Sequence, residues 1–350
     1  MFEREMYYLQ KKKIKHGIYE MLIVQFKYGV NLKEAVGELL KRAKRRRRAV
    51  EIMILSDVKN NIVSGKSFAN SIKSWIPQLD YTIIVSAEKG GKIESALELI
   101  VSLDNMKSEL ISEFLGGLVN PLILFFAVYG FLYYIGNYAL TPILKMMPKG
   151  HVSGAAAVLV LLSKFVKSPW MFLTPVLLIF FTILIFFSFS RLTGGIRKIL
   201  DKRFPYSLYR KFVGAVWLNG FSSLMAAGMN EINALKDMSK NSNDYLKERL
   251  TTFYKGLQNG MNLGDAMLIL KYNFPDADTV EDIGMFSKFP DFDKKLKLIA
   301  EQNIKDLKKY IKTLSTVLGL AANLFLYALI IFIAVGVFSL MNNITSNLHY

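Results

Sequence analysis

Hydrophobic positions recur at helical spacing over most of the first hundred residues. Asn31 stands where it can cap a helix whose Glu34 reaches back to it, and Leu32, Ala35, Val36, Leu39 and Leu40 then fall on one face. Val50, Met53, Ile54, Val58 and Ile62 predict a second helix; Phe68, Ile72 and Ile76 predict a short third one, which Pro77 stops. From Ile93 onward, Ala96, Leu97, Ile100, Leu103, Leu110 and Phe114 predict a longer helix that leads into a stretch without charge. Three such stretches stand out, at 114–144, 168–190 and 313–350. Each holds a run of roughly 20 or more mainly apolar residues, which at about 1.5 Å per residue crosses a hydrocarbon core of about 30 Å. An all-α membrane protein is expected, with transmembrane helices at 114–136, 168–190 and 313–341 and a tail at 342–350.

The layout repeats. Gly29, Asn31 and Ala35 are echoed by Gly228, Asn230 and Ala234, each glycine at a helix boundary, and Leu246, Leu250, Phe253 and Leu257 predict the helix that follows. Gly65 corresponds to Gly260 and the breaker Pro77 to Pro275; the three separations are 199, 195 and 198 residues, so the register drifts only by small loop changes. This predicts a duplicated unit: a helical-bundle domain at 1–113 and a second at 191–312, each followed by a span leaving the same side of the membrane. The span at 168–190 serves as the return, and 137–167 is left on the far side. Within it, 155–160 is apolar but short and is followed by Lys164 and Lys167, which predicts an interfacial helix, with a fourth span as the alternative.

Charge adds the orientation. Lys and Arg number 20 before the first span, 4 between the first and second, 21 between the second and third, and none after it. Basic segments stay on the cytoplasmic side, so both helical domains and the N-terminus are expected in the cytoplasm. The formal net charge of +17 sits mostly on the two domains, +6 and +7, and would attract anionic lipid, an acidic protein or nucleic acid. Glu3, Arg4, Glu5 and the lysines at 11–13 break up the start, so no secretory signal is expected. With no cysteine there is no disulfide framework and no thiolate site.

Ser64, Gly65, Lys66 and Ser67 look like the end of a phosphate-binding loop. Such a loop needs glycine five residues before Gly65, where Asn60 stands, and a preceding apolar strand, so the expected role is a capping turn with Ser67 at a helix start. His16, His151 and His349 fall in three regions and cannot share a metal or base site. Glu88, Glu94 and Glu98 cluster near Gly90 and Gly91, but Phe286 stands at the position of Glu88 in the second copy; a solvated helix end or a partner contact is expected rather than an acid and base pair. No cofactor, metal or catalytic residue is expected. Charge is missing from all three spans, which argues against ion coupling and so against the alternative function, a transporter or permease with cytoplasmic regulatory domains. Asn120 and Asn323 follow Gly117 and Gly319 early in spans one and three, where small residues permit close helix packing and amides can hydrogen-bond across it. The strongest local feature is the basic run Lys41, Arg42, Lys44, Arg45, Arg46, Arg47 and Arg48 between two helices. It is a candidate contact for an acidic cytoplasmic partner or for anionic lipid, worth about 1 kcal/mol per well-placed cation. Nucleic acid is not expected as a partner, since no aromatics interleave the run.

With these features in place, the chain over about residues 14–341 resembles the type II secretion protein F and type IV pilus platform family, the GspF and PilC group. The resemblance rests on the two helical repeats, on Gly65, Pro77 and the turn from Glu88 to Gly91 in the first, on Gly228, Gly260 and Pro275 in the second, and on the three spans. Family members resemble the pattern Gly-Glu-x-Ser-Gly in that turn. Here Glu88 and Gly91 match it, whereas the second copy, 285–289, departs. Length and divergence look more like a type IVb pilus system. The resemblance implies a non-enzymatic, self-associating platform in the bacterial inner membrane, with 137–167 and the tail in the periplasm. Its implied partners are a cytoplasmic hexameric assembly ATPase, pilin subunits and other inner-membrane assembly proteins, and its implied task is to help pass pilins into a growing fibre. The long helices at 93–114 and 296–314 would then act as rigid levers.

Overall fold

In the computed structural model, which describes residues 2–88, 91–145, 154–240, 242–269 and 272–348, every regular element among the described residues is helical. The first half runs α1 (Phe2–Lys27), α2 (Leu32–Arg45), α3 (Ala49–Val63), α4 (Phe68–Ile72), a 3-10 turn (Lys73–Trp75), α5 (Gln78–Glu88) and α6 (Ile93–Tyr134). A π-helical turn (Ile135–Ala139) follows, then α7 (Leu140–Lys145), α8 (Ala155–Lys167), α9 (Trp170–Arg191) and α10 (Gly194–Leu200). The second half runs α11 (Tyr206–Ala226), α12 (Glu231–Lys240), α13 (Asp244–Gln258), α14 (Leu263–Ile269), α15 (Ala277–Phe286) and α16 (Phe292–Leu348). Helix for helix, α11 to α16 follow the order of α1 to α6, which is consistent with a duplication.

The junctions show why the order recurs. Gly29 and Gly228, at φ 75° and 87°, take the left-handed conformation that ends α1 and α11. In both places the glycine amide donates three residues back and the next amide five residues back: Val30 to the Gln25 carbonyl at 3.1 Å, Met229 to the Leu224 carbonyl at 3.0 Å. The following asparagine then starts a helix. Asn31 Oδ1 accepts from the Glu34 amide at 3.0 Å, and Asn230 Oδ1 from the Asn233 amide at 2.9 Å.

The described residues divide into two compact units, one formed by the chain up to Glu109 together with Phe189–Leu307, the other by Leu110–Ser188 together with the chain from Lys308 on. In the first unit a single hydrophobic core takes side chains from both halves of the chain, among them Leu39, Ile54, Phe68, Ile84 and Leu97 from the first and Trp217, Phe221, Leu250, Phe253 and Leu296 from the second. Trp217 lies 5.5–5.8 Å, ring to ring, from Phe221, Phe253 and Phe274. Each such pair adds about 0.5–1.5 kcal/mol beyond the area it buries. A cavity of about 270 Å³ in this unit is lined by Leu79 and Lys107 from the first half of the chain and by Phe212, Trp217, Met238 and Leu246 from the second.

The second unit holds apolar helices. Three stretches are long and apolar enough to cross a membrane, within Ile93–Pro142, Trp170–Arg191 and Phe292–Asn342. Large side chains such as Phe172, Ile179, Phe186, Leu324 and Phe338 stand exposed along them, as lipid contact requires and water does not reward. α8 is 13 residues long, about 20 Å at 1.5 Å per residue, which is short of a hydrocarbon core. Its Leu159 is fully buried in a small core with Leu140, Ile333 and Leu340. Gly136 and Gly336 make this packing possible: a Cβ at Gly136 would lie 2.9 Å from Val166 Cβ, and one at Gly336 would collide with Leu159.

Candidate functional site

The basic run forms a turn whose shape follows from the buried stripe of α2. Ala35, Val36, Leu39, Leu40 and Ala43 face the core, so Lys41, Lys44 and Arg45 are turned outward and Arg42 is half-buried. At the end of α2 the amides of Arg46, Arg47 and Arg48 donate back to the carbonyls of Arg42, Lys44 and Ala43 at 3.0–3.1 Å. Arg47 itself sits at φ 54°, in the region where glycine is the usual occupant. The cations also lie where the helix presents its unpaired carbonyls, which favours positive charge. Lys41 pairs with Glu38 at 2.8 Å and Arg48 with Glu51 at 2.7 Å. Lys44, Arg45, Arg46 and Arg47 are exposed and make no ion pair among the described residues, so four cations remain available on one turn.

Glu88 is occupied elsewhere. From the end of α5 its Oε1 accepts the Phe68 amide at 2.6 Å and its Oε2 the Ala69 amide at 3.1 Å. These are first-turn donors of α4 that would otherwise be orphaned, and a carboxylate is the favoured partner there. Ser67 completes the cap by accepting from the Asn70 amide. After Glu88 the chain turns through Gly91 at φ 67°, with the Lys92 amide returning to the Ala87 carbonyl at 2.9 Å. In the second half of the chain, Asn262 accepts from the Asp265 amide at 2.8 Å, and Ser287, beside Phe286, donates to Asn262 at 3.0 Å. The turn into α14 is thus closed by different chemistry from the turn into α4. No hydrogen bond or ion pair among the described residues joins Glu88 to the basic turn.

In the apolar helices, Gly117 and Ser315 meet so closely that no Cβ would fit at Gly117. Asn323 Nδ2 donates to the Gly319 carbonyl of its own helix at 2.9 Å. The side chain of Asn120 lies outside the described residues, as does His151.

Two buried ionic clusters were missed in the sequence. In the first half of the chain Lys15 Nζ lies 2.6 Å from Asp80 and 2.7 Å from Asp104, with all three side chains largely out of water. Burial alone would lower the Lys15 pKa, but the two carboxylates outweigh it and raise it; burial and the neighbouring Asp104 raise Asp80 against the pull of Lys15. In the second half of the chain Asp201 accepts from Arg197 Nε at 2.9 Å, Arg249 Nη2 at 2.6 Å and the Tyr245 hydroxyl at 3.1 Å. Arg197 lies over the rings of Tyr206, Tyr209 and Tyr245 at 4.2–5.4 Å. Burial pushes the Tyr245 phenol up, so it stays a donor. Among the described residues no group of three or more His, Cys, Asp or Glu could hold a metal.

Comparison with known proteins adds to this geometry. Residues 217–340, from within α11 to within α16, match the family described as Type II secretion system (T2SS), protein F. The chain carries a type II secretion F domain. This F domain takes in Trp217 and its aromatic neighbours, Arg249, the α12 to α15 junctions and the apolar part of α16. The chain is also similar to the toxin coregulated pilus biosynthesis protein E of Vibrio cholerae serotype O1, 25% identical over 299 residues, which cover 83% of this chain and 85% of the relative. That match extends well beyond the F domain, so the resemblance read from the repeats to the secretion F and pilus platform family, on its type IVb side, holds.

Proposed function

We propose that the chain is a non-enzymatic inner-membrane platform of a type IV pilus or type II secretion assembly machine, and that it couples a cytoplasmic assembly ATPase to the insertion of pilin subunits into the fibre. The observation that carries this reading is the F domain at 217–340, supported by similarity to a pilus biosynthesis protein along most of the chain. The three apolar helices support membrane residence, and the distribution of 20, 4, 21 and 0 basic residues supports a cytoplasmic N-terminus and cytoplasmic helical domains. The platform self-associates and contacts pilins and other inner-membrane assembly proteins. The basic turn at 41–48 receives an acidic surface of the ATPase, and the helices at 93–114 and 296–314 pass the motion of that partner toward the spans.

Deleting the chain in the bacterium that makes it should abolish fibres while pilin stays in the inner membrane. Normal fibres in the deletion strain would overturn the platform reading. Arg45, Arg46, Arg47 and Arg48 replaced together by glutamate should insert normally, because 16 of the 20 basic residues of the first domain remain, yet should no longer capture the ATPase from solubilised membranes. Undiminished capture would reduce the turn to a solvated helix end and leave the platform reading intact.

A further inference from the structure

The short helix α10 has two faces of opposite character. Its inner face carries Arg197, fully buried against Asp201 and the three tyrosines, and its first residue, Gly194, donates its amide to Glu248 of α13 at 3.2 Å. The helix is therefore fixed against the first unit at both ends. Its outer face carries Ile196 and Ile199, 70% and 68% exposed, and the loop that follows carries Phe204, 51% exposed. Around them stand the exposed cations Arg191, Lys198, Lys202 and Arg203, with no exposed carboxylate between 191 and 204. Arg191, Lys202 and Arg203 make no ion pair among the described residues, and Lys198 leans over the Tyr272 ring at 4.4 Å.

Bulky apolar groups held out by an anchored backbone and ringed by exposed cations are the surface that an anionic bilayer interface covers. Chain connectivity supplies the location. Only Leu192 and Thr193 separate the end of α9, one of the helices able to cross a membrane, from the start of α10, and that link reaches no further than about 10 Å. We propose that α10 and the loop to Phe204 form a membrane-interface anchor: Ile196, Ile199 and Phe204 enter the headgroup boundary of the leaflet beside the end of α9, and Arg191, Lys198, Lys202 and Arg203 pair with its anionic headgroups. The inference rests on α9 crossing the membrane and is independent of the platform reading.

The absence of cysteine makes the test direct. In the full chain in nanodiscs, Ile199→Cys and Phe204→Cys would each carry a nitroxide, with Lys66→Cys on an exposed turn as the reference. In discs containing anionic lipid, labels at 199 and 204 should be several-fold more accessible to oxygen than to a water-soluble nickel reagent, with the ratio reversed at 66. Discs of zwitterionic lipid alone, or Lys202→Glu with Arg203→Glu in anionic discs, should shift 199 and 204 toward the aqueous ratio. An aqueous ratio at 199 and 204 in anionic discs would overturn the anchor. Immobilised labels shielded from both reagents would overturn it too, by placing a protein surface over α10.

Discussion

Replacing Lys15 by methionine removes the ammonium that pairs directly with two carboxylates, Asp80 and Asp104. Lys15 and Asp80 side chains are only 6% and 8% exposed, and Asp104 is 13% exposed, so water cannot take over the role of the ammonium. Breaking a buried pair by removing one partner costs about 3–5 kcal/mol. For a folded unit of more than 150 residues each kcal/mol moves the midpoint by about 2–4 °C, so the loss should be roughly 6–20 °C. Trp75 and Trp217 belong to the core of the same unit, and the fluorescence of the full chain in detergent follows it. The pH dependence gives the sharper test. In the parent chain the raised Lys15 contributes stability that is complete below its ordinary 10.5 and lost only as pH rises through the higher folded value. Asp80 is raised above its ordinary 3.8 even with Lys15 present, and without the ammonium it rises further. The deficit of the variant should therefore shrink as pH falls through that raised value, because a protonated Asp80 no longer needs a cation. Adding Asp80→Asn and Asp104→Asn to the methionine variant should recover most of the loss at neutral pH. A loss below about 1 kcal/mol, the size of a surface pair, or a deficit that stays constant between pH 7 and 4, would refute the reasoning.

Glu88→Ala should destabilise the first unit by about 1–2 kcal/mol, the cost of a lost helix cap, and Glu88→Gln by less; amide exchange at Phe68 and Ala69 should rise in the alanine variant, and unchanged exchange there would remove Glu88 from the capping role. Arg47→Gly should raise the unfolding midpoint, by the equivalent of about 1 kcal/mol, because glycine adopts φ near 54° without strain, and it should weaken binding of an acidic partner through the lost charge. A lowered midpoint would show that Arg47 makes a stabilising contact that outweighs its backbone.

The caps and breakers were legible because their signals are local. A glycine and an asparagine two residues apart close one helix and open the next at both 29–31 and 228–230, and charge-free runs mark the apolar helices whatever they pack against. The roles of single charges were not legible. Lys15 and Asp80 are 65 positions apart, and Arg249 and Asp201 are 48 apart, so nothing near either partner announces the pairing. The available hint was a charge placed among core positions: Lys15 between Ile14 and Ile18, Asp80 before Ile83 and Ile84. Glu88 looked like an outward contact because its two amide partners lie 19 and 20 residues earlier. The exposed outer face of α10 was hidden for a different reason, since Ile196 and Ile199 show the spacing of a buried stripe and only the structure reveals that Arg197 took the inside.

A core shared between residues before 110 and residues after 188 imposes a schedule on synthesis. At about 5–20 residues per second, the last helix of that core emerges roughly 10–40 s after the first half is complete. For that interval Leu79, Ile84 and their neighbours wait for Trp217, Phe221 and Leu296, while two apolar helices must be threaded into the bilayer. The nascent first half thus keeps part of its apolar surface uncovered until the second half arrives, and codons that slow the ribosome between residues 110 and 217 lengthen that exposure.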